Sequence, residues 1–229
     1  MFPIGDDRDL RGGLPIVTWA LIALNVVAFF TEIARPEAAL QSFIQAWGVI
    51  PREYAAGHDI APLIGAPFWV TLFSSMFLHG GWMHLGGNML YLWIFGDNVE
   101  RSMGGLKFLI FYLICGLAAS FAHIMFNLGS SMPAVGASGA ISGVLGGYLL
   151  LFPSNRVRVI TYGRIASVPA IVVIGLWIVL QFVNGIGSVA RTDETAGVAY
   201  MAHIGGFVAG LVLVKLFVGL GRGATVVRP

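Results

Sequence analysis

Charge is what this chain lacks most. Only 10% of its residues are Asp, Glu, Lys or Arg, while 57% are hydrophobic; ordinary soluble domains are ~25% charged and ~45–50% apolar. A mean hydropathy of +0.84 completes the picture of an integral membrane protein. Cysteine is nearly absent too. Cys115 is the sole one and lies within an apolar run, which excludes an internal disulfide and marks it as a packing residue. A net charge of +2 is too small for a nucleic-acid binder. No repeat, low-complexity tract or soluble domain is visible, and no His-Glu-x-x-His motif occurs.

Glycine, by contrast, is abundant, at 31 residues. In a membrane protein small residues let helix backbones approach one another. The N-terminal stretch Met1 to Gly13 mixes Asp6, Asp7 and Asp9 with Arg8 and Arg11, unlike the cationic leader of a signal peptide. The apolar run after it therefore reads as a retained first helix.

Apolar runs predict an all-α bundle with six spans, at roughly 14–33, 83–99, 105–127, 138–152, 165–183 and 200–219. The chain reads as a single transmembrane domain over 1–229, with short tails at 1–13 and 220–229. Between the first two spans, segment 34–82 mixes Phe43, Trp47, Phe68, Trp69, Phe73 and Phe77 with charged residues, a composition suited to the membrane interface. Its last portion, Thr71 to Leu78, reads alternatively as an early start to the second span.

Lys and Arg set the orientation. With the N-terminus cytoplasmic, the inner side receives Arg8, Arg11, Arg101, Lys107, Arg156, Arg158, Arg164, Lys215, Arg222 and Arg228. The outer side receives only Arg35, Arg52 and Arg191, so ten stand against three and both termini are placed inside. Spans two, four and six then all enter from the outer face. Ser138 opens span four, His203 lies in the first turn of span six, and His84 and Asn88 lie in the first turns of span two.

Span four is short: 15 residues from Ser138 to Phe152 make about 22 Å of helix against a core of about 30 Å. Its start is expected below the outer surface. The irregular stretch before it, Gly129 to Pro133, then dips inward, which is tolerated only inside protein or along a wet cavity. Gly139, Gly143, Gly146 and Gly147 on span four, and Ala202, Gly206 and Gly210 on span six, offer two small-residue faces. Packed together, these faces bring a nucleophile, Ser138, towards a general base, His203.

Three motifs carry a family resemblance. Gly136-Ala137-Ser138-Gly139, the run from His79-Gly80-Gly81 through His84 to Asn88, and Ala202-His203-Ile204-Gly205-Gly206 through Gly210 resemble the rhomboid intramembrane serine proteases. The resemblance extends from the first span to the last. It implies Ser138 as nucleophile and His203 as base, in a dyad without an aspartate. It also implies an oxyanion hole from the Ser138 N–H and the His84 and Asn88 side chains, with Gly136, Gly139, His79, Gly206 and Gly210 shaping the site. His84 and Asn88 stand i, i+4 and project from one helix face.

The expected reaction is endoproteolysis in or beside the transmembrane helices of single-span or polytopic membrane proteins within the lipid bilayer. It needs no cofactor and no metal. Substrate would enter sideways from the lipid, the resemblance implies a gate near span five and the loop over the cavity, and the fitting location is a bacterial inner membrane. Two departures from the family pattern stand out. The Trp-Arg pair that many relatives carry ahead of span two is replaced by Phe68-Trp69-Val70-Thr71, and Ser142 stands where some relatives stack an aromatic on the histidine.

Other polar residues take plainer readings. His58 and His123 are structural or interfacial, Glu100-Arg101 is an interfacial ion pair, and Asn25 is an interhelical hydrogen-bonding residue. Gln181 and Asn184 give span five a polar end. A catalytically silent relative that binds membrane segments would be expected to lack Ser138 or His203. A transporter would be expected to carry charge near the midplane.

Overall fold

The computed structural model describes residues 2–7, 13–60, 67–190 and 199–219. Nine α-helices and a three-stranded sheet are formed by these residues. Among the described residues, three helices are long and apolar enough to cross a membrane: α1 (Ile16–Ile33), α6 (Gly105–Phe126) and α9 (Tyr200–Val218).

One face of α1 is buried, at Thr18, Leu21, Asn25, Phe29 and Glu32, the three-to-four spacing of a packed helix stripe. The first N–H groups of a helix lack intrahelical acceptors. Here the Glu100 carboxylate supplies them, accepting from Val17 N at 3.0 Å and from Thr18 N and Oγ1 at 2.7 Å each. Glu100 thus ties the far end of α5 (Trp82–Met103) to the start of α1. Its neighbour Arg101 turns to the Gly13 carbonyl at 2.6 Å. Asn25 bonds back to the Leu21 carbonyl at 2.8 Å, within its own helix instead of across to another.

The long connection holds α2 (Glu37–Trp47), α3 (Pro51–Ala56) and the short α4 (Thr71–Ser74) between two 3₁₀ turns. It does not extend α5 upstream: Leu78 is extended, and α5 starts only after Gly81. Its role is visible in its hydrogen bonds. Val49 and Ala134 exchange two backbone bonds of 3.0 and 2.8 Å, and Arg52 N reaches the Ser130 carbonyl at 3.0 Å. Gly136 N donates to the Ser75 carbonyl at 2.8 Å. The irregular stretch leading into Ser138 is therefore clamped by the connection, without a Trp-Arg pair.

At the centre stands α7 (Ser138–Leu151), buried continuously from Gly139 to Tyr148. A helix buried all round is core, and its glycines explain how neighbours approach it. A Cβ on Gly210 would lie 1.9 Å from the Gly143 carbonyl oxygen, and one on Gly206 would lie 2.0 Å from that of Gly139. Backbone meets backbone along the α7–α9 seam. Near the far end of α7, Tyr148 packs on Phe95 and Phe152, with ring centroids 5.0 and 5.2 Å apart.

The sheet departs from the all-α expectation. β1 (Phe2–Asp6), β2 (Arg156–Thr161) and β3 (Arg164–Pro169) pair antiparallel in that order, at the end of α7 away from Ser138. Val157 and Val159 face the core while Arg156 and Arg158 face out, a period-two pattern that four arginine and valine residues display plainly. Tyr162 and Gly163, both at positive φ, make the two-residue turn. The helix expected as span five consequently begins at Ala170, not at 165, and α8 runs Ala170–Ala190. Pro169 explains the shift, since it disfavours helical backbone at Val168 and opens the helix behind it. The sequence stretch assigned to an N-terminal tail contains β1, anchored where the Asp6 carboxylate accepts from Tyr148 Oη at 2.5 Å and Asn98 Nδ2 at 2.8 Å. The tail expected at 220–229 lies outside the described residues.

Candidate active site

Ser138 is the first residue of α7, and His203 lies in the first turn of α9. Ser138 Oγ and His203 Nε2 are 2.8 Å apart, a hydrogen bond. The glycine seam below makes this possible, because helices separated by side chains could not bring two such short reaches together. Both residues line a cavity of about 650 Å³, together with His84, Asn88, Ser142 and Trp177.

The opposite wall of that cavity belongs to α5. His84 Nδ1 accepts a hydrogen bond from Gly80 N at 3.3 Å. That bond places the ring proton on Nε2, the nitrogen that faces Gly136. A Cβ on Gly136 would stand 2.8 Å from His84 Nε2 and 3.6 Å from Asn88 Nδ2, and Gly136 sits at φ +129°. Only glycine fits that conformation and that space. Asn88 Nδ2 is buried and has no hydrogen-bond partner among the described residues. Two side-chain donors thus converge beside the N-terminus of α7, whose free N–H groups and dipole favour negative charge.

His79 is buried, its ring 5.2 Å from that of His84 in an edge-to-face contact. Its backbone N–H is held by the buried Glu32 carboxylate at 3.1 Å, which fixes the chain just ahead of α5. Gly139 packs against Ala119 and Ala202, and Gly206 and Gly210 form the seam on α9. His123 borders a narrow pocket of about 30 Å³ on the α6 side of Ser138, and its Nδ1 lies 3.4 Å from Asn127 Nδ2. Among the described residues, no three His, Cys, Asp or Glu side chains come together as metal ligands would.

Two contacts of His203 come from α8. Gln181 Oε1 lies 2.8 Å from His203 Nδ1, and the Trp177 ring lies 5.9 Å from the imidazole, tilted by 38°. Sequence reasoning read Gln181 as a polar helix end. Its signal was the i, i+4 spacing from Trp177, which puts the two on one face of an otherwise apolar helix. Ser142, in the position of the missing aromatic, bonds the Ser138 carbonyl at 2.6 Å instead.

Residues 67–219 match the family model described as the rhomboid domain. The chain is 33% identical over 202 residues to the rhomboid protease GluP of Bacillus subtilis, covering 87% of this chain and 34% of that protein. It is 28% identical over 200 residues to the mitochondrial rhomboid protein 1 of Saccharomyces cerevisiae, covering 86% and 51%. The putative rhomboid protease YdcA of B. subtilis is 26% identical over 207 residues, covering 87% and 86%. The chain thus spans about a third to a half of the length of the first two of these and most of the third. With its apolar helices, the domain match makes this an integral, multi-pass membrane protein that belongs to the rhomboid family.

Proposed function

We propose that the chain is an intramembrane serine endopeptidase that cleaves peptide bonds in or near the transmembrane helices of other membrane proteins. The observation that carries this reading is the 2.8 Å bond between Ser138 Oγ and His203 Nε2 at the wall of a 650 Å³ cavity. The GluP and YdcA relatives, named as rhomboid proteases, support it.

In this mechanism His203 Nε2 takes the Ser138 proton as Oγ attacks the scissile carbonyl carbon. The oxyanion that forms is met by Asn88 Nδ2, His84 Nε2 and the Ser138 N–H. His203 then gives its proton to the leaving amine, and the acyl-enzyme remains on Ser138. Water, deprotonated by the same nitrogen, attacks the ester, and His203 returns that proton to Ser138 Oγ as the new carboxylate leaves. The steps use only protein groups and water.

Topology belongs to the same proposal. The helices α1, α5, α6, α7, α8 and α9 are the six spans, with both termini on the cytoplasmic side as the Lys and Arg distribution favours. α7 has 14 residues, about 21 Å, a length that supports a Ser138 below the outer surface, where substrate would arrive from the lipid. The Bacillus relatives favour a bacterial cell membrane.

The test is cleavage of a single-span model substrate by the purified chain in proteoliposomes. Wild type is expected to cleave, and to be labelled at Ser138 by a serine-reactive phosphonate. Ser138→Ala and His203→Ala are expected to fold and to do neither. Cleavage by Ser138→Ala at the wild-type rate would rule the reading out.

A further inference from the structure

We propose that Gln181 is the positioning residue of the general base: its side-chain carbonyl holds His203 in the Nδ1–H form, leaving Nε2 free to accept the Ser138 proton. This rests on the serine-protease reading above and extends it to a third residue, on a third helix.

A neutral imidazole carries one N–H and one acceptor nitrogen. If Nε2 carried the proton it would donate to Ser138 Oγ and could not take its hydrogen. The productive form needs the proton on Nδ1, and a buried N–H needs an acceptor. Gln181 Oε1 supplies that acceptor at 2.8 Å. An amide is a weaker partner than a carboxylate, but inside an apolar bundle it brings no second charge to bury. It answers how the base is oriented in a chain that carries Ser142 in place of a stacking aromatic.

The bond also joins two helices. Gln181 is on α8 and His203 on α9, 22 residues apart in sequence. Trp177, one turn before Gln181, adds the ring contact to the same imidazole and lines the cavity. The other side of α8 is open, with Val179, Val183 and Ile186 exposed. Base orientation therefore depends on α8 lying against α9, and displacement of α8 removes the hydrogen bond and the ring contact together. Gln181 does not itself line the cavity, so its loss should act on turnover and not on substrate binding.

The experiment compares wild type, Gln181→Leu, Gln181→Glu and Ser138→Ala as full chains in proteoliposomes. It measures kcat and KM on a single-span substrate, and the ¹⁵N shifts of His203 in histidine-labelled protein. Gln181→Leu keeps the side-chain bulk and removes the acceptor. It should lower kcat about tenfold, the worth of one such bond, with KM within twofold. Gln181→Glu offers a carboxyl oxygen in either protonation state and should keep kcat near wild type. The ¹⁵N shifts should report Nδ1–H in wild type and Gln181→Glu and a tautomer mixture in Gln181→Leu. Wild-type kcat in Gln181→Leu, unchanged tautomer in that variant, or equal loss in Gln181→Glu would each overturn the proposal. Should Gln181→Leu not fold, Gln181→Met removes the acceptor with an unbranched side chain. The tautomer readout needs no turnover, so an inactive wild type would refute the protease reading while the ¹⁵N shifts still decide the role of Gln181.

Discussion

Replacing Gly210 by alanine should separate the serine from its base without touching either. The new methyl carbon would lie 1.9 Å from the Gly143 carbonyl oxygen and 2.6 and 2.7 Å from that residue's carbonyl carbon and Cα. All three are backbone atoms in the middle of a buried helix, so no side chain can rotate away. A comfortable carbon–oxygen contact is about 3.3 Å, so α7 and α9 must part locally by about 1.4 Å. His203 sits seven residues earlier on the same helix, about 10 Å away along its axis, and shares the displacement. A Ser138–His203 distance of 2.8 Å would stretch towards ~4 Å, beyond hydrogen-bond reach. Misplacement by about 1 Å can lower a rate about a hundredfold, and overpacking of this kind costs about 1–3 kcal/mol. The assay is kcat on a single-span substrate together with a thermal melt. Gly175→Ala on α8 is the control: nothing lies within 4 Å of its added Cβ, so it should keep activity and melt no lower than wild type. If Gly210→Ala matched Gly175→Ala in both activity and Tm, the glycine seam would not be what sets the dyad distance.

Two further outcomes are expected. Asn88→Ala and His84→Ala should each lower kcat by about a hundredfold with KM little changed, since each removes a donor aimed at charge that exists only in the transition state; a rise in KM at constant kcat would assign them to substrate binding instead. Burial, with the nearby Asp97 and Asp7 charges adding to it, pushes the Asp6 carboxyl up to about 7 against the opposing Tyr148 and Asn98 bonds. A folded pKa above the unfolded value of ~3.9 means that the folded state holds the proton more tightly, so the anchoring of β1 is fully present below about pH 4 and is lost as pH rises to about 7. Asp6→Asn keeps an acceptor for Tyr148 and Asn98 and removes the titration. Its Tm should therefore exceed wild type by a margin that grows from pH 5 to pH 8, and a margin independent of pH would refute the assignment.

How far the fold could be read beforehand depended on which signal each element left. α1, α6 and α9 were legible because length and hydropathy alone identify them, within two residues at either end. The β2–β3 hairpin was not. Ile165, Ala166, Val168 and the run after Pro169 form one apolar stretch, and a short apolar run does not distinguish strand from helix. The alternation of Arg156, Val157, Arg158 and Val159 was the available signal, and counting those arginines only as topological charge concealed it. β1 was still less visible, because its partner lies about 150 residues away and pairing at that separation leaves no local pattern.

At the site, the readable residues were those whose chemistry is improbable in a membrane. Ser138, His84, Asn88 and His203 stand out wherever the chain is cut, and the four-residue glycine spacing announces a close helix crossing. Gln181 did not stand out, because a polar residue near a helix end is ordinary there. What makes it exceptional is a rotation of α8 that turns Trp177 and Gln181 onto His203, and helix rotation is set by packing that one sequence does not display. Glu100 illustrates the same limit from the other direction. Its neighbour Arg101 suggested only an ion pair, and the carboxylate also meets three donors of α1 at once, the Val17 and Thr18 N–H groups and the Thr18 hydroxyl. In a low-dielectric interior, orphaned backbone donors compete strongly for any carboxylate within reach. Polar residues in such a bundle are therefore best assigned by asking which buried N–H lacks an acceptor: the first turn of α1 calls for Glu100, the chain before α5 for Glu32, and His203 Nδ1 for Gln181.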